Sequence, residues 1–396
     1  MKVLYLSHTA HVSGAEHALL TLLSRLPRGV DPTVACPDGP LAAAVARLGI
    51  PVVRVPGTDA SLRLAPLHTP RALLDIARTA AAVRNTARNI GADLVHANST
   101  RAGIIAAAAR RVGGPPVLVH LHDRLPGGML PAATRQALTR GADGFLACSR
   151  YVLEPLGRRD QDDFVRVVHN PVDTERFNPH RLDGVSARAR LGLAPEEVAL
   201  VLVAQFTPWK AQDDAVRMLA ALRDEYPHSR LVLVGSPKFV ERATRYDNLA
   251  YTQSLEDLIK RLRLDARVLR LGEREDVPEI LRASDLFLAP SWEEPFSLSV
   301  LEAMAMKLPV ICTAVGGMNE IIDGQNGLLL PPREPELWAR EIVQLLRTPL
   351  RREQMGQRAR TAVEQKLTPS AWAERVAASY DALLSSCERR QGAVVN

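Results

Sequence analysis

Cysteine is sparse. Cys36, Cys148, Cys312 and Cys387 are scattered and include no C-x-x-C pair, so neither a disulfide framework nor a cysteine zinc site is indicated. The first three lie in or beside apolar runs and read as core residues. Aromatic side chains make up only 4% of the chain, and no basic run is interleaved with them, so no nucleic-acid partner is expected. No apolar run reaches the ~18–20 residues that a membrane span needs. The segment Met1 to Ser7 enters a strand pattern at once, without the apolar core of a signal peptide. A cytoplasmic location is therefore expected, and peripheral contact with the inner face of a membrane is compatible with it. Neither G-x-G-x-x-G nor G-x-x-x-x-G-K-[ST] occurs, which argues against the dinucleotide and P-loop readings.

What is present points to an α/β protein. The 396 residues suggest two domains, and 46% hydrophobic content can bury substantial cores. The formal charge of +6 is modest; it suits nucleotide phosphates or an anionic membrane face. Short apolar runs such as Lys2–Ser7, Leu94–Ala97 and Val117–His120 alternate with helical patterns such as Ala15–Leu26 and Thr100–Arg111, which predicts a parallel sheet covered on both faces. Turn-rich sequence at Asn170-Pro171-Val172-Asp173 and Phe177-Asn178-Pro179, continuing through Asp183-Gly184, interrupts the alternation. It restarts with Val198–Ala204, Arg230–Val234, Val268–Leu271, Leu286–Pro290 and Val310–Thr313 as strands. Helices are expected at Ala211–Tyr226, Ser254–Arg263, Val277–Ala283 and Leu298–Met306, and the charged tail from Arg351 to Cys387 is helical in pattern. Two consecutive α/β domains would face each other across a cleft able to close on substrates and exclude water.

The stretch Ser291 to Glu302 carries the strongest chemical signal. Glu294 and Glu302 flank the passage from a strand into a helix, the edge at which open parallel sheets bind ligands. A helix N-terminus offers free N–H groups and positive potential to phosphate. Ionised carboxylates only accept hydrogen bonds, so hydroxyls are their natural partners. Two structural alternatives stand beside this. Ser299 and Glu302 have the spacing of a capping box, and Glu293 and Glu294 fit solvated loop charges. Gly14, just before a helix, allows close backbone approach to a diphosphate, or is a turn glycine. His122, at a strand end and on the same face as His120, suits hydroxyls, phosphate oxygens or proton shuttling; a satisfied structural histidine is the alternative. Lys210, after the first strand of the second half, is either a phosphate partner or a solvated lysine. Asp160-Gln161-Asp162 has a D-x-D form but sits in a charged run and reads as a solvated loop.

These segments, from Val3 to about Trp372 and in order, resemble the GT-B fold glycosyltransferases of family 4, retaining enzymes that use nucleotide-sugar donors. Ser13-Gly14-Ala15-Glu16 resembles the family's Gly-Gly-Ala-Glu loop. Leu94 to Ser99 and His122-Asp123 resemble its strand-end motifs. His169 to Phe177 resembles its pre-linker motif, Pro208-Trp209-Lys210 its phosphate loop, and Leu271 to Val277 its base-side motif. Glu294 to Glu302 is similar to its E-x7-E element. The pattern departs at Gln205, where the family usually has arginine, and at Ser297, where glycine is common.

The resemblance implies two Rossmann-like domains, an acceptor-side domain at 1–180 and a nucleotide-sugar donor domain at 181–371, with a helix from about 372 to 396 crossing back. It implies that His122, Lys210 and Glu294 serve catalysis. Donor binding would fall to Gly14, Gln205, Lys210, Arg274, Glu294, Phe296, Ser297, Leu298 and Glu302. Glu294 would hold sugar hydroxyls, Glu302 the ribose, and the amides of Phe296, Ser297 and Leu298 the sugar and phosphates. Attack within a closed ion pair needs no metal and no cofactor besides the donor. UDP-sugars are favoured over GDP-mannose. The acceptor is a lipid, a glycan or a small molecule, and the loops Pro56–His68 and Arg124–Pro131 are its expected contacts. The arginine-bearing helix Arg71–Arg88 fits an anionic membrane or a solvated face. An epimerase or phosphorylase on the same scaffold, and a non-catalytic nucleotide-sugar-binding protein, are the alternatives. Oligomeric state is not legible.

Overall fold

Seven parallel strands form the first sheet. They are β1 (Lys2–Leu6), β2 (Asp31–Cys36), β3 (Val52–Arg54), β4 (Leu94–Ala97), β5 (Val117–Leu121), β6 (Gly144–Ala147) and β7 (Val165–Val167), in spatial order β3-β2-β1-β4-β5-β6-β7. Six more form the second: β8 (Val198–Val203), β9 (Ser229–Val234), β10 (Val268–Gly272), β11 (Leu286–Ala289), β12 (Val310–Thr313) and β13 (Leu328–Leu330), in order β10-β9-β8-β11-β12-β13. The computed structural model describes residues 1–57, 69–125, 127, 129–160, 164–238, 240 and 245–395. Gln161 and Asp162 of the D-x-D run, residues 58–68 of the first expected acceptor loop and residues 126 and 128 of the second lie outside them.

The chain divides into two compact units, Met1–Asn170 with Pro369–Asn396, and Pro171–Thr368. In each sheet the central strands are apolar on both faces: Val3 to Leu6 of β1 and Ala199 to Val201 of β8 are fully buried, as expected for parallel strands covered by helices. Chain order reverses between β1 and β4 in one unit and between β8 and β11 in the other. Those are the switch points where such sheets open a crevice beyond their C-terminal ends. One close approach there demands glycine. Gly235 has φ +132°, and a Cβ on it would sit 2.0 Å from Ala204 O.

Several boundaries differ from the sequence pattern for local reasons. The helix Asn248–Arg261 starts before Ser254 because the Asp247 carboxylate accepts from Ala250 N–H. Asp183-Gly184 does not prolong the interruption; Asp183 caps the helix Gly184–Arg190 by accepting from the Val185 and Ser186 N–H groups. The helical tail is two helices, Pro349–Lys366 and Pro369–Val395, because Pro369 cannot donate to a continuous helix but is well placed in a first turn.

The last helix belongs to the first unit. Trp372, Val376, Tyr380 and Leu383, spaced 4, 4 and 3 residues apart, form one buried stripe with Val3, Tyr5, Leu94 and Leu118 of the sheet. Tyr380 OH donates to Tyr5 OH at 3.2 Å and lies 2.7 Å from His96 Nδ1. Among the described residues, no helix is long and apolar enough to cross a membrane.

Candidate functional site

The second unit brings two charged side chains, Lys210 and Glu294, together at the β8/β11 switch point. After β8 the chain makes a single turn, Pro208–Lys210, which ends in left-handed Ala211 (φ 53°). After β11 it runs through Ser291 to Ser297 before the helix Leu298–Ala305. Trp292 joins the two loops: its backbone N–H donates to Trp209 O at 3.0 Å and its indole to Pro208 O at 2.6 Å. This brings Lys210 Nζ to 2.6 Å from Glu294 Oε2, with the two side chains 13% and 6% exposed. Lys210 also lies over the Trp209 ring, 4.1 Å from its centre. Gly317 N–H donates to Glu294 O at 3.0 Å, which braces the backbone that carries the carboxylate. Glu294 is not a solvated loop charge; its neighbour Glu293 pairs with Arg245 at 2.8 Å.

A small indentation opens beside this pair, and Lys210, Ala204, Ser291, Ser297 and Ser299 help to line it. Ser297 is the N-cap of the helix Leu298–Ala305, yet no side chain caps the helix; its hydroxyl faces Ser299 Oγ at 3.2 Å instead. Among the described residues no side chain accepts from the first N–H groups of this helix, as a phosphate-binding helix start requires. Phe296 is 6% exposed and Leu298 half-buried, so both shape the wall.

Glu302 resolves the capping question. The helix begins at Leu298, so Ser299 lies inside it and the Ser299–Glu302 box does not form. The Glu302 carboxylate has no hydrogen-bond partner among the described residues. Burial pushes it up to about 7, with the nearby Arg176 opposing the shift. A carboxyl with a folded-state value above its unfolded 4.5 favours the fold most at low pH and loses that contribution as pH rises towards 7. Glu302→Gln is therefore expected to raise stability relative to the parent by about 1–2 kcal/mol at pH 8 and by almost nothing at pH 4. This discounts the ~1.36 kcal/mol per unit for partial solvent access. Melting curves across that range check it; a difference that does not change with pH would show that the carboxylate is well solvated.

Two expected donor residues make no hydrogen bond to the Lys210–Glu294 pair among the described residues. Gln205 follows β8 and accepts from Gln212 Nε2 through its backbone oxygen at 2.8 Å; its side chain has no partner among the described residues. Arg274 follows β10, two strands from β8, and forks onto Asp276 at 2.7 and 2.6 Å.

In the first unit the expected residues also lie beyond the C-terminal ends of strands, Gly14 after β1 at the switch point and His122 after β5, one strand from it. Gly14 opens the helix Gly14–Leu23 with an ordinary φ, and a Cβ there would meet nothing within 4 Å. The fold of this unit does not itself require glycine at 14. Glu16, just after it, is structural: it is 1% exposed and accepts from Ser13 N–H at 3.2 Å and Ser13 Oγ at 2.5 Å. His122 follows β5 and is 8% exposed, with Nε2 3.2 Å from Asn98 Oδ1. Its ring lies 4.2 Å from that of His120, which lies 6.1 Å from Trp372. Desolvation lowers His122 to about 4 and pulls His96 and His120 down as well, so all three imidazoles are neutral at pH 7. Asn98 was not singled out in the sequence, although it lies two residues beyond His96 and so on the same strand face.

Each α/β unit thus carries polar or charged residues beyond the C-terminal ends of its parallel strands, where such sheets bind ligands. Comparison with known proteins agrees. The family model described as glycosyltransferase family 4 matches residues 12–176, and the one described as glycosyl transferases group 1 matches 186–362. The crystal structure of HepE from Anabaena, in complex with UDP, superposes with a TM-score of 0.81 over 96% of this chain and 100% of that one, at 25% identity. HepE has also been solved with UDP-glucose. D-inositol 3-phosphate glycosyltransferase of Salinispora tropica is 31% identical over 279 residues, 64% of this chain and 56% of the relative. The protein of the same name from Mycobacterium marinum is 35% identical over 231 residues, 58% of this chain and 46% of the relative. The chain thus spans about half the length of the curated relatives it matches. It belongs to the GT-B glycosyltransferases of family 4.

Proposed function

We propose that this protein transfers a sugar, with retention of configuration, from a nucleotide diphosphate sugar to a hydroxyl acceptor. The observation that carries the reading is the desolvated Lys210–Glu294 pair at the β8/β11 switch point, beside a helix start that no side chain caps. Lys210 and the free N–H groups suit a leaving diphosphate, whose negative charge grows as the glycosidic bond breaks. Glu294 suits donor-sugar hydroxyls, and Glu302, unpaired and desolvated, suits ribose hydroxyls, which would restore its missing donors. The acceptor proton would leave with the diphosphate oxygen, with no step through a metal.

UDP is the favoured nucleotide, supported by the UDP and UDP-glucose complexes of HepE. The acceptor is a small molecule, glycan or lipid bound mainly by the first unit. The inositol phosphate relatives support the small-molecule end of that range.

A thermal-shift screen against UDP-, GDP- and ADP-sugars tests the donor assignment, because a ligand stabilises the fold it binds by mass action. One UDP-sugar is expected to raise Tm clearly, and Glu302→Gln to weaken that shift without unfolding the protein. No response to any nucleotide sugar would overturn the reading. Donor binding without turnover would indicate a binding protein, and epimerisation of the free donor an epimerase.

A further inference from the structure

A backbone carbonyl sets the proton arrangement of the first unit's histidine. Ala15 O, in the first turn of the helix Gly14–Leu23, can only accept a hydrogen bond. The Asn98 side-chain nitrogen lies 3.0 Å from it, and Asn98 is 1% exposed. Turning the amide over would place oxygen against oxygen in a buried site, so the carbonyl decides which end of the amide is which. Asn98 Oδ1 then faces His122 Nε2 at 3.2 Å. An amide oxygen also only accepts, so Nε2 must carry the hydrogen. In a neutral imidazole the other nitrogen is then a bare lone pair. Among the described residues His122 Nδ1 is indeed buried without a partner, and so are both ring nitrogens of the adjacent His120.

We propose that Asn98 is a positioning residue that commits His122 to the Nε2–H tautomer and so leaves its Nδ1, which is enclosed in this structure, as the ring's fixed acceptor. This rests on the glycosyl-transfer reading for its purpose but not for its geometry. It narrows the role of His122. A lone pair at Nδ1 attracts an O–H and repels a phosphate oxygen, and an imidazole whose hydrogen is held by Asn98 is not poised to act as a general acid. The same amide fastens the start of the helix Gly14–Leu23 to the end of β4, so one side chain sets both Gly14 and His122 in register.

Nitrogen NMR of the full chain with labelled histidine tests this directly. In the parent, His122 is expected to show the neutral Nε2–H form from pH 8 down to about pH 5; a neutral Nδ1–H form would overturn the proposal without recourse to any variant. Asn98→Ala is expected to release the tautomer into a mixture. It is also expected to lower kcat/KM by roughly tenfold to a hundredfold, the scale of a misplaced substrate contact. Asn98→Asp keeps an acceptor for Nε2–H but cannot donate to Ala15 O. It is expected to retain the tautomer while moving the acid limb of the pH profile upward, because a nearby carboxylate favours the charged imidazole. An unaltered tautomer in folded Asn98→Ala would overturn the proposal. If the tautomer behaves as stated and no variant or parent transfers sugar, the glycosyl-transfer reading fails and the positioning geometry stands.

Discussion

Lys210→Ala is expected to lower kcat/KM for the proposed transfer by about 10²–10³, the usual loss when one preorganised charge-stabilising group is removed. Its Nζ is held 2.6 Å from Glu294 Oε2 and 4.1 Å from the centre of the Trp209 ring, so the cation is in place before any ligand arrives. The variant also leaves a carboxylate, 6% exposed at its side chain, without its counter-charge. Breaking a buried pair on one side costs about 3–5 kcal/mol of stability, so a fall in activity by itself does not separate chemistry from folding. The double variant Lys210→Met with Glu294→Gln does. It buries no unpaired charge, so it is expected to regain most of the lost Tm while remaining inactive. Steady-state kinetics and melting curves on the three proteins provide the check. Recovery of activity in the double variant would make the pair a structural device and remove the basis of the donor site.

Arg360→Met is expected to be the most destabilising single change away from that site, at about 3–4 kcal/mol. The Arg360 guanidinium is 6% exposed and donates to Phe177 O and Ala305 O, both at 2.5 Å, to Thr174 O at 3.2 Å and to Glu364 Oε1 at 2.6 Å. It thereby ties the helix Pro349–Lys366 to the Asp173–Phe177 turn and to the last carbonyl of the helix Leu298–Ala305, the negative end of that helix dipole. Methionine fills the space but leaves buried carbonyls unsatisfied. In a unit of roughly 200 residues each kcal/mol lowers Tm by about 2–4 °C, so a drop on the order of 10 °C is expected. Arg360→Lys keeps the charge but not the fork, and is expected to recover only part of it. A Tm within about 2 °C of the parent for Arg360→Met would show that these contacts contribute little.

The strand pattern was legible because parallel strands buried on both faces must be apolar throughout, and runs such as Val3 to Leu6 and Val198 to Val203 are. Helix ends were less legible. The start of the helix Asn248–Arg261 depends on one aspartate at 247, and the split of the tail on Pro369. The candidate residues for each unit were legible as types at strand ends. Their pairings were not. That Glu294 meets Lys210 rather than water follows from Trp292 stitching two loops together across 84 residues of chain, and no spacing rule reaches that far.

Glu302 shows the limit most clearly. Its spacing from Ser299 was as consistent with a cap as with a ligand contact. The tertiary structure decided by starting the helix at Leu298 and burying the carboxylate with no hydrogen-bond partner among the described residues. Asn98 is the complementary case, an ordinary strand-end asparagine whose importance lies in what two other segments place at either end of its amide. The sequence by itself determined the fold class, the two-part organisation and the family, because apolar periodicity and turn chemistry act over a few residues. Which charges pair, which carboxylate stays bare and which histidine nitrogen carries its hydrogen were decided only by the tertiary structure. Those depend on distances between chain segments far apart in sequence and on the loss of water around them.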